Sequence, residues 1–283
     1  MRPTATADST RTHDSTGHVR LGCCLNMIAP PDDFLGRRLL PGLARLGFEY
    51  AELSLRDMAA LTPDRLADLA ARLEATGLRC EACNNFFPAD IRLTGPNVDR
   101  TRVLAYAGRA LDCAHRLGAR VVVFGSGAAR LVPDGFPMAD AWRQVAACLA
   151  DIAPGAEQRS ITIAIETLNR QESNIVTCLA EGLALVREVA HPAVRLLLDT
   201  YHAEVEGDDA GVVDRAARDI GHVHAAAGRQ RRFPSARSAG LSALIGPLAA
   251  SGCRGRCSIE AYTSHLEADA PLALDALREM FAS

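Results

Sequence analysis

The 283-residue chain contains no lysine; all 31 of its basic residues are arginine. No Schiff-base amine is therefore available for aldolase or pyridoxal chemistry. No P-loop lysine can meet a nucleotide phosphate. Arginine-for-lysine usage is ordinary in a GC-rich genome, and the chemical exclusions hold whatever its cause. A strong charge of either sign is also missing. The formal net charge is −3 and the arginines are spread along the chain, so there is no basic footprint for nucleic acid. No stretch approaches the roughly 18 uninterrupted apolar residues of a membrane span. Residues 1–19 are rich in Thr, Ser, Asp and Arg. They lack the apolar run of about 7–15 residues that a secretory signal needs. They read as a disordered polar tail ahead of a single domain over residues 20–283.

What is present is ordinary for a globular chain, with 48% hydrophobic and 23% charged residues. The nine cysteines are odd in number and scattered. Without a signal segment they imply reduced thiols in a cytoplasm rather than bridges. Cys80 and Cys83 form a C-x-x-C inside an expected strand. Strand alternation would send them to opposite faces, which argues against a zinc or redox role.

After the tail, short apolar runs alternate with longer amphipathic segments. Strands are expected at 21–27, 50–55, 78–86, 119–125, 161–167, 194–199, 220–225 and 256–261. Helices are expected at 32–46, 63–76, 97–117, 138–152, 178–190, 208–219, 241–251 and 270–281. Gly47, Gly77 and Gly118 stand just past three of these, where a left-handed cap is favoured. Alternating strands and helices imply parallel pairing with right-handed crossovers. Eight such units define an α/β (β/α)8 TIM barrel, with a doubly wound open sheet as the second choice. The run Gly125-Ser126-Gly127 is not a dinucleotide loop. Its third glycine is missing, and Pro133 and Pro137 interrupt the run before a helix can start. Nor is it a G-x-S-x-G elbow.

Barrel active sites sit at the C-terminal strand ends. The fifth expected strand ends at Glu166, the sixth at Asp199 and the eighth at Glu260, and the seventh carries His222 and His224. Three carboxylates and an imidazole on one rim suit Mn²⁺, Mg²⁺, Co²⁺ or, less readily, Zn²⁺. A metal-free ion network is the alternative, but unpaired charge after strongly apolar strands is costly. His222 and His224 are two apart and share a face. His224, nearer the strand end, is the expected ligand, and His222 a satisfied core histidine below it. His202 lies three residues beyond Asp199 and would otherwise be an exposed loop histidine.

These residues resemble the sugar-phosphate isomerase/epimerase superfamily of xylose isomerase-like barrels, nearest to the ketose 3-epimerases and hydroxypyruvate isomerase. The similarity runs from about Leu21 to Phe281 and is strongest from Glu166 onward. The E-x-x-N-R-x-E stretch is matched by Glu166 to Glu172, D-T-[FY]-H by Asp199 to His202, and the second histidine of H-x-H by His224. The family's last glutamate is matched by Glu260, after Gly255. The resemblance implies one divalent ion, with Mn²⁺ the first choice, held by Glu166, Asp199, His224 and Glu260. It implies that Glu166 and Glu260 also serve as acid and base, and that His202 and an arginine contact a substrate oxygen. That arginine is where the chain departs from the pattern. Gln230 holds the usual position, six residues after His224. Aligning Phe233-Pro234 selects Arg231, with Arg229 and Arg232 open, and Ser235 replaces an expected glycine. Glu172 could anchor a terminal hydroxyl. Ser126, Arg130 and the arginines of 229–232 could bind a phosphate or simply lie on the surface.

The resemblance implies proton abstraction beside the carbonyl of a keto-sugar or small hydroxy-keto acid, through an enediolate. Return of the proton to the same carbon gives a 3-epimer, and to the neighbouring carbon an isomer. The hydride-shift route of xylose isomerase proper uses a lysine that this chain lacks. Endonuclease IV, with three zinc ions and additional histidines, is also disfavoured. An inosose-type dehydratase and a non-catalytic sugar-binding descendant remain as alternatives. Family members often form homodimers or homotetramers.

Overall fold

The computed structural model describes residues 18–236 and 238–282. Most of the expected polar tail lies outside the described residues. Its last residue does not fit that expectation, because Val19 is buried against the core and leads directly into the first strand.

Eight parallel strands close into a barrel in sequence order. They are β1 Arg20–Cys24, β2 Tyr50–Ser54, β3 Cys80–Asn84, β4 Val121–Phe124, β5 Thr162–Glu166, β6 Val194–Asp199, β7 Ile220–Ala225 and β8 Arg256–Ile259. The first and last close the ring through pairs such as Leu21 with Cys257. The helices are α1 Leu40–Leu46, α2 Leu55–Ala59, α3 Pro63–Thr76, α4 Arg100–Arg116, α5 Gly127–Arg130 and α6 Met138–Gln158. They continue with α7 Leu179–Val189, α8 Thr200–Glu206, α9 Ala210–Ala216, α10 Ala239–Ala250 and α11 Leu266–Ala282. Helix α3 shows why these segments fold locally. Thr62 caps its start by accepting from Arg65 N–H, Pro63 supplies a preset φ, and Gly77 ends it at φ +72°. Leu66, Leu69 and Leu73, spaced at helical intervals, are buried toward the sheet. Each such leucine contributes about 1.5–3 kcal/mol.

Most of the apolar core lies between the strands and the helix ring. A smaller cluster of Tyr50, Ala82, Val121, Val123, Ala164 and Leu197 fills the barrel interior. The sheet is irregular at β3. Ala51 pairs with Cys80 and Glu52 with Ala82, so Glu81 is an extra, bulged residue. The bulge overturns the expected separation of the C-x-x-C pair. Cys80 and Cys83 face the same side, with their sulfurs 3.6 Å apart as free thiols. The displaced Glu81 is clamped at the barrel's lower end by Arg20 at 2.7 Å and Arg256 at 2.7 Å. It thereby ties β3 to β1 and β8. Among the described residues no helix is long and apolar enough to cross a membrane.

Candidate active site

Alternation along the strands decides which side chains enter the barrel. Counting from Leu197, which is inside, Asp199 is inside as well. The same parity brings in Glu166 after Ala164 and both histidines of β7. Glu166, Asp199, His224 and Glu260 converge, each offering a ligand atom within 4.8 Å of the others. His224 Nδ1 lies 2.8 Å from Glu260 Oε2, 3.3 Å from Glu166 Oε1 and 3.8 Å from Asp199 Oδ2.

Asp199 does two jobs. Its Oδ1 accepts from the N–H groups of Tyr201 (2.7 Å) and His202 (3.0 Å), capping α8. Its Oδ2 is left facing the cluster. The cap also fixes where α8 begins, and so where His202 stands. His202 is buried, not an exposed loop residue. Its Nδ1 accepts from the Asn169 backbone N–H at 3.1 Å. The hydrogen of a neutral His202 ring is then on Nε2, which lies 3.8 Å from Asp199 Oδ2. Asn169 also reaches Glu172 Oε1 at 3.1 Å, so the exposed Glu172 is tethered beside the site.

Of the three candidate arginines, the structure brings Arg231 to the cluster. Its guanidinium donates to Glu260 Oε2 (2.5 Å) and to Asp199 Oδ2 (3.3 Å), and lies 4.7 Å from the centre of the Tyr201 ring. Its backbone is left-handed, at φ +49°. Arg229 instead reaches a backbone carbonyl of α8, and Arg232 is exposed.

The charges are strongly perturbed. Burial raises the Asp199 carboxyl to about 6, with His202 and Arg231 only partly opposing. Burial works against the charge of Glu260, but His224 and Arg231 hold its carboxyl well below the usual carboxylate range. Burial would lower the His224 ring, yet Glu260 and Glu52 raise it well above an ordinary histidine. In the metal-free protein the raised His224 ring thus favours a proton there, which joins Arg231 in offsetting the carboxylates.

Several residues with a part in this arrangement were missed or placed differently from the sequence, where the expected ligands came from the last four strands. Glu52, mid-strand in β2, is fully buried and meets both His224 and His222. An acidic residue inside the apolar run of β2, two residues from Tyr50, was the available signal. Gly125 is a second case, since a β-carbon there would stand 1.9 Å from Glu166 Oε2. Arg130 is a third. It was expected to be a surface or phosphate-binding residue, yet it is completely buried. Its guanidinium donates to the carbonyls of Phe124 (3.1 Å) and Glu166 (2.8 Å), with no carboxylate partner among the described residues. The short α5 that carries it forms ahead of Pro133, where no helix was expected. Ser126, another phosphate candidate, accepts from Phe87 N–H at 2.9 Å. His222 is only half satisfied, because its Nδ1 has no partner among the described residues.

A closed parallel barrel with a buried acid–histidine cluster at the upper strand ends defines a TIM barrel whose mouth could hold a metal ion. The chain belongs to the xylose isomerase-like TIM barrel family, whose model matches residues 42–280. Its relatives include the L-ribulose 3-epimerase of Mesorhizobium japonicum, 28% identical over 231 residues, covering 81% of this chain and 76% of that one. Among solved structures it is similar to a D-allulose 3-epimerase from Methylomonas sp. in complex with D-allulose. The TM-score is 0.80 at 21% identity, over 93% of this chain and 97% of that one. A structure of L-ribulose 3-epimerase superposes with a TM-score of 0.78 at 24% identity, over 93% and 94%.

Proposed function

We propose that this protein is a divalent-metal-dependent ketose 3-epimerase that works by proton transfer through an enediolate. The observation that carries the reading is the placement of Glu166 at the end of β5 and Glu260 just past β8, three strands apart around the ring, with His224 and Asp199 between them. Two carboxylates on separate walls can address opposite faces of one carbon. One removes the C3 proton and the other returns it from the far side, which inverts that centre. An aldose–ketose isomerase needs the proton delivered to the neighbouring carbon, and that task does not require two opposed carboxylates. The naming of the relatives as ketose 3-epimerases supports the same choice.

The donor set suits a hard divalent ion, with three carboxylates and one imidazole nitrogen. Glu166, Asp199, His224 and Glu260 would hold it, with Mn²⁺ the first choice and Mg²⁺, Co²⁺ or Zn²⁺ compatible. When bound, it would supply Lewis-acid stabilisation of the charge that develops on the substrate oxygens. The remaining work belongs to side chains of this chain. His202, with its hydrogen on Nε2, and Arg231 orient and polarise the carbonyl oxygen. Glu172, tethered by Asn169, receives a terminal hydroxyl.

The reading is tested with a panel of keto-sugars and hydroxypyruvate in deuterium oxide with Mn²⁺. A ketose should gain deuterium at C3 and yield its 3-epimer at otherwise unchanged composition. Glu166→Gln and Glu260→Gln should each reduce that exchange by at least about 10²-fold. Retention of most exchange in either variant would overturn the assignment of acid and base. Loss of water from the product would instead identify a dehydratase.

A further inference from the structure

We infer that Glu52 is a positioning residue for the metal centre: it fixes His224 with its Nδ1 lone pair turned toward Glu166, Asp199 and Glu260, and so sets the affinity for a divalent ion. The inference rests on the metal-dependent reading above and concerns a residue outside the ligand set.

The geometry is a chain of hydrogen bonds with a defined direction. Glu52 Oε1 lies 2.9 Å from His224 Nε2. An ionised carboxylate only accepts, so Nε2 carries the hydrogen. A neutral imidazole with its hydrogen on Nε2 presents a bare lone pair at Nδ1, and Nδ1 is the atom that faces the three carboxylates. The other oxygen of Glu52 is equally committed. Oε2 accepts from His222 Nε2 at 3.0 Å and from Ser258 Oγ at 2.5 Å. Ser258 has spent its hydrogen on Glu52, so its oxygen accepts from the Tyr50 hydroxyl at 2.8 Å. Tyr50 packs so closely on Gly22 that a β-carbon there would come within 2.3 Å of its ring. Cys24 Sγ is the remaining polar neighbour of His224 Nε2, at 3.9 Å.

Glu52 is wholly buried, and no arginine is among its partners in the described residues. Burying a carboxylate is expensive, and a neutral side chain would pack the barrel floor at lower cost. The charge has a use if it sets the histidine tautomer and raises the basicity of Nδ1. That is the part played by outer carboxylates behind metal-bound histidines in general. Glutamine at this position keeps the shape and reverses the logic. With its carbonyl held by His222 and Ser258, its amide would donate to His224 Nε2. That moves the ring hydrogen to Nδ1, into the metal site.

The test measures Mn²⁺ binding to full-length metal-stripped protein by titration calorimetry, for wild type, Glu52→Gln and Ser258→Ala. Glu52→Gln should bind Mn²⁺ about 10–100-fold more weakly, and Ser258→Ala a few-fold more weakly. The unfolding midpoint of metal-free Glu52→Gln should not fall, and turnover should recover substantially at saturating Mn²⁺. A merely structural role would lower the midpoint and leave Mn²⁺ affinity alone. Glu52→Gln binding within twofold of wild type would overturn the inference. If that variant does not fold, unchanged affinity in Ser258→Ala would do so. A wild-type protein that takes up no divalent ion would sink the metal reading itself, and the role of Glu52 with it.

Discussion

Gly125 shows how one missing side chain serves the site. A β-carbon there would clash with the carboxyl end of Glu166, the far end of a flexible side chain, so the fold should tolerate alanine while the carboxylate should not stay in place. Gly125→Ala is expected to leave the unfolding midpoint within a few degrees and to cut kcat by about 10²-fold, the usual effect of a displacement of about 1 Å. Thermal scans and steady-state kinetics on the same preparation check both halves. His224 makes the second residue-scale prediction. Its ring is held above an ordinary histidine, so the folded metal-free protein keeps a proton that the unfolded chain releases near pH 6.5. Stability from this group is therefore fully present below about pH 6.5 and lost as pH rises through the raised value. A metal ion must displace that proton. Calorimetry in buffers of different ionisation enthalpy should show at least one proton released per Mn²⁺ at pH 7, with affinity rising with pH. Equal heats in all buffers would contradict the protonated state.

Among the elements, α8 carries an unusual burden because its cap is also a candidate ligand. Asparagine caps as well as aspartate but brings no charge. Asp199→Asn should keep metal-free stability near wild type, whereas Asp199→Ala should cost about 1 kcal/mol more, read by chemical denaturation. Both should lose Mn²⁺ affinity. This is also the scale at which the sequence was read best and worst. The strands were legible because most are short apolar runs set between amphipathic segments, and all eight overlap their expected ranges. The rim residues followed from strand ends alone. Short α2, α5 and α8 were not legible, since helices of four to seven residues are held by tertiary contact rather than propensity. The expected end of α6 at 152 fails because the helix runs on through Pro154. The carbonyl left without its partner belongs to Ala150, on the exposed face. The Cys80–Cys83 pair misled because Glu81 bulges, and its clamp on Arg20 and Arg256 joins residues far apart in sequence.

At the scale of the whole molecule, charge balance ties these parts together. In and around the barrel mouth, Glu52, Glu166, Asp199 and Glu260 stand against Arg130 and Arg231. Once His224 has given up its proton, these four acids and two arginines leave two negative charges in excess, which one divalent cation would cancel. Arg130 would otherwise be hard to explain, as a buried cation whose partners are carbonyls. Burial lowers its guanidinium to about 10, so it stays charged near neutrality. The folded protein should accordingly gain about 2.7 kcal/mol from Mn²⁺ at a hundredfold excess over its Kd. That appears as a rise of several degrees in Tm, reversed by chelator. A Tm indifferent to both would argue against a metal centre in this barrel.

The contact of Gly22 with Tyr50 bears on which substitutions the chain can accept over time. The loops above the strands can lengthen, shorten or change charge with little effect on the floor, so new specificities can be tried there cheaply. The floor has no such freedom. A methyl group at position 22 must push the Tyr50 ring, and the push passes through Ser258 and Glu52 to His224. A change at Gly22, midway along β1, would therefore reach His224 near the upper end of β7 by a route that touches no substrate.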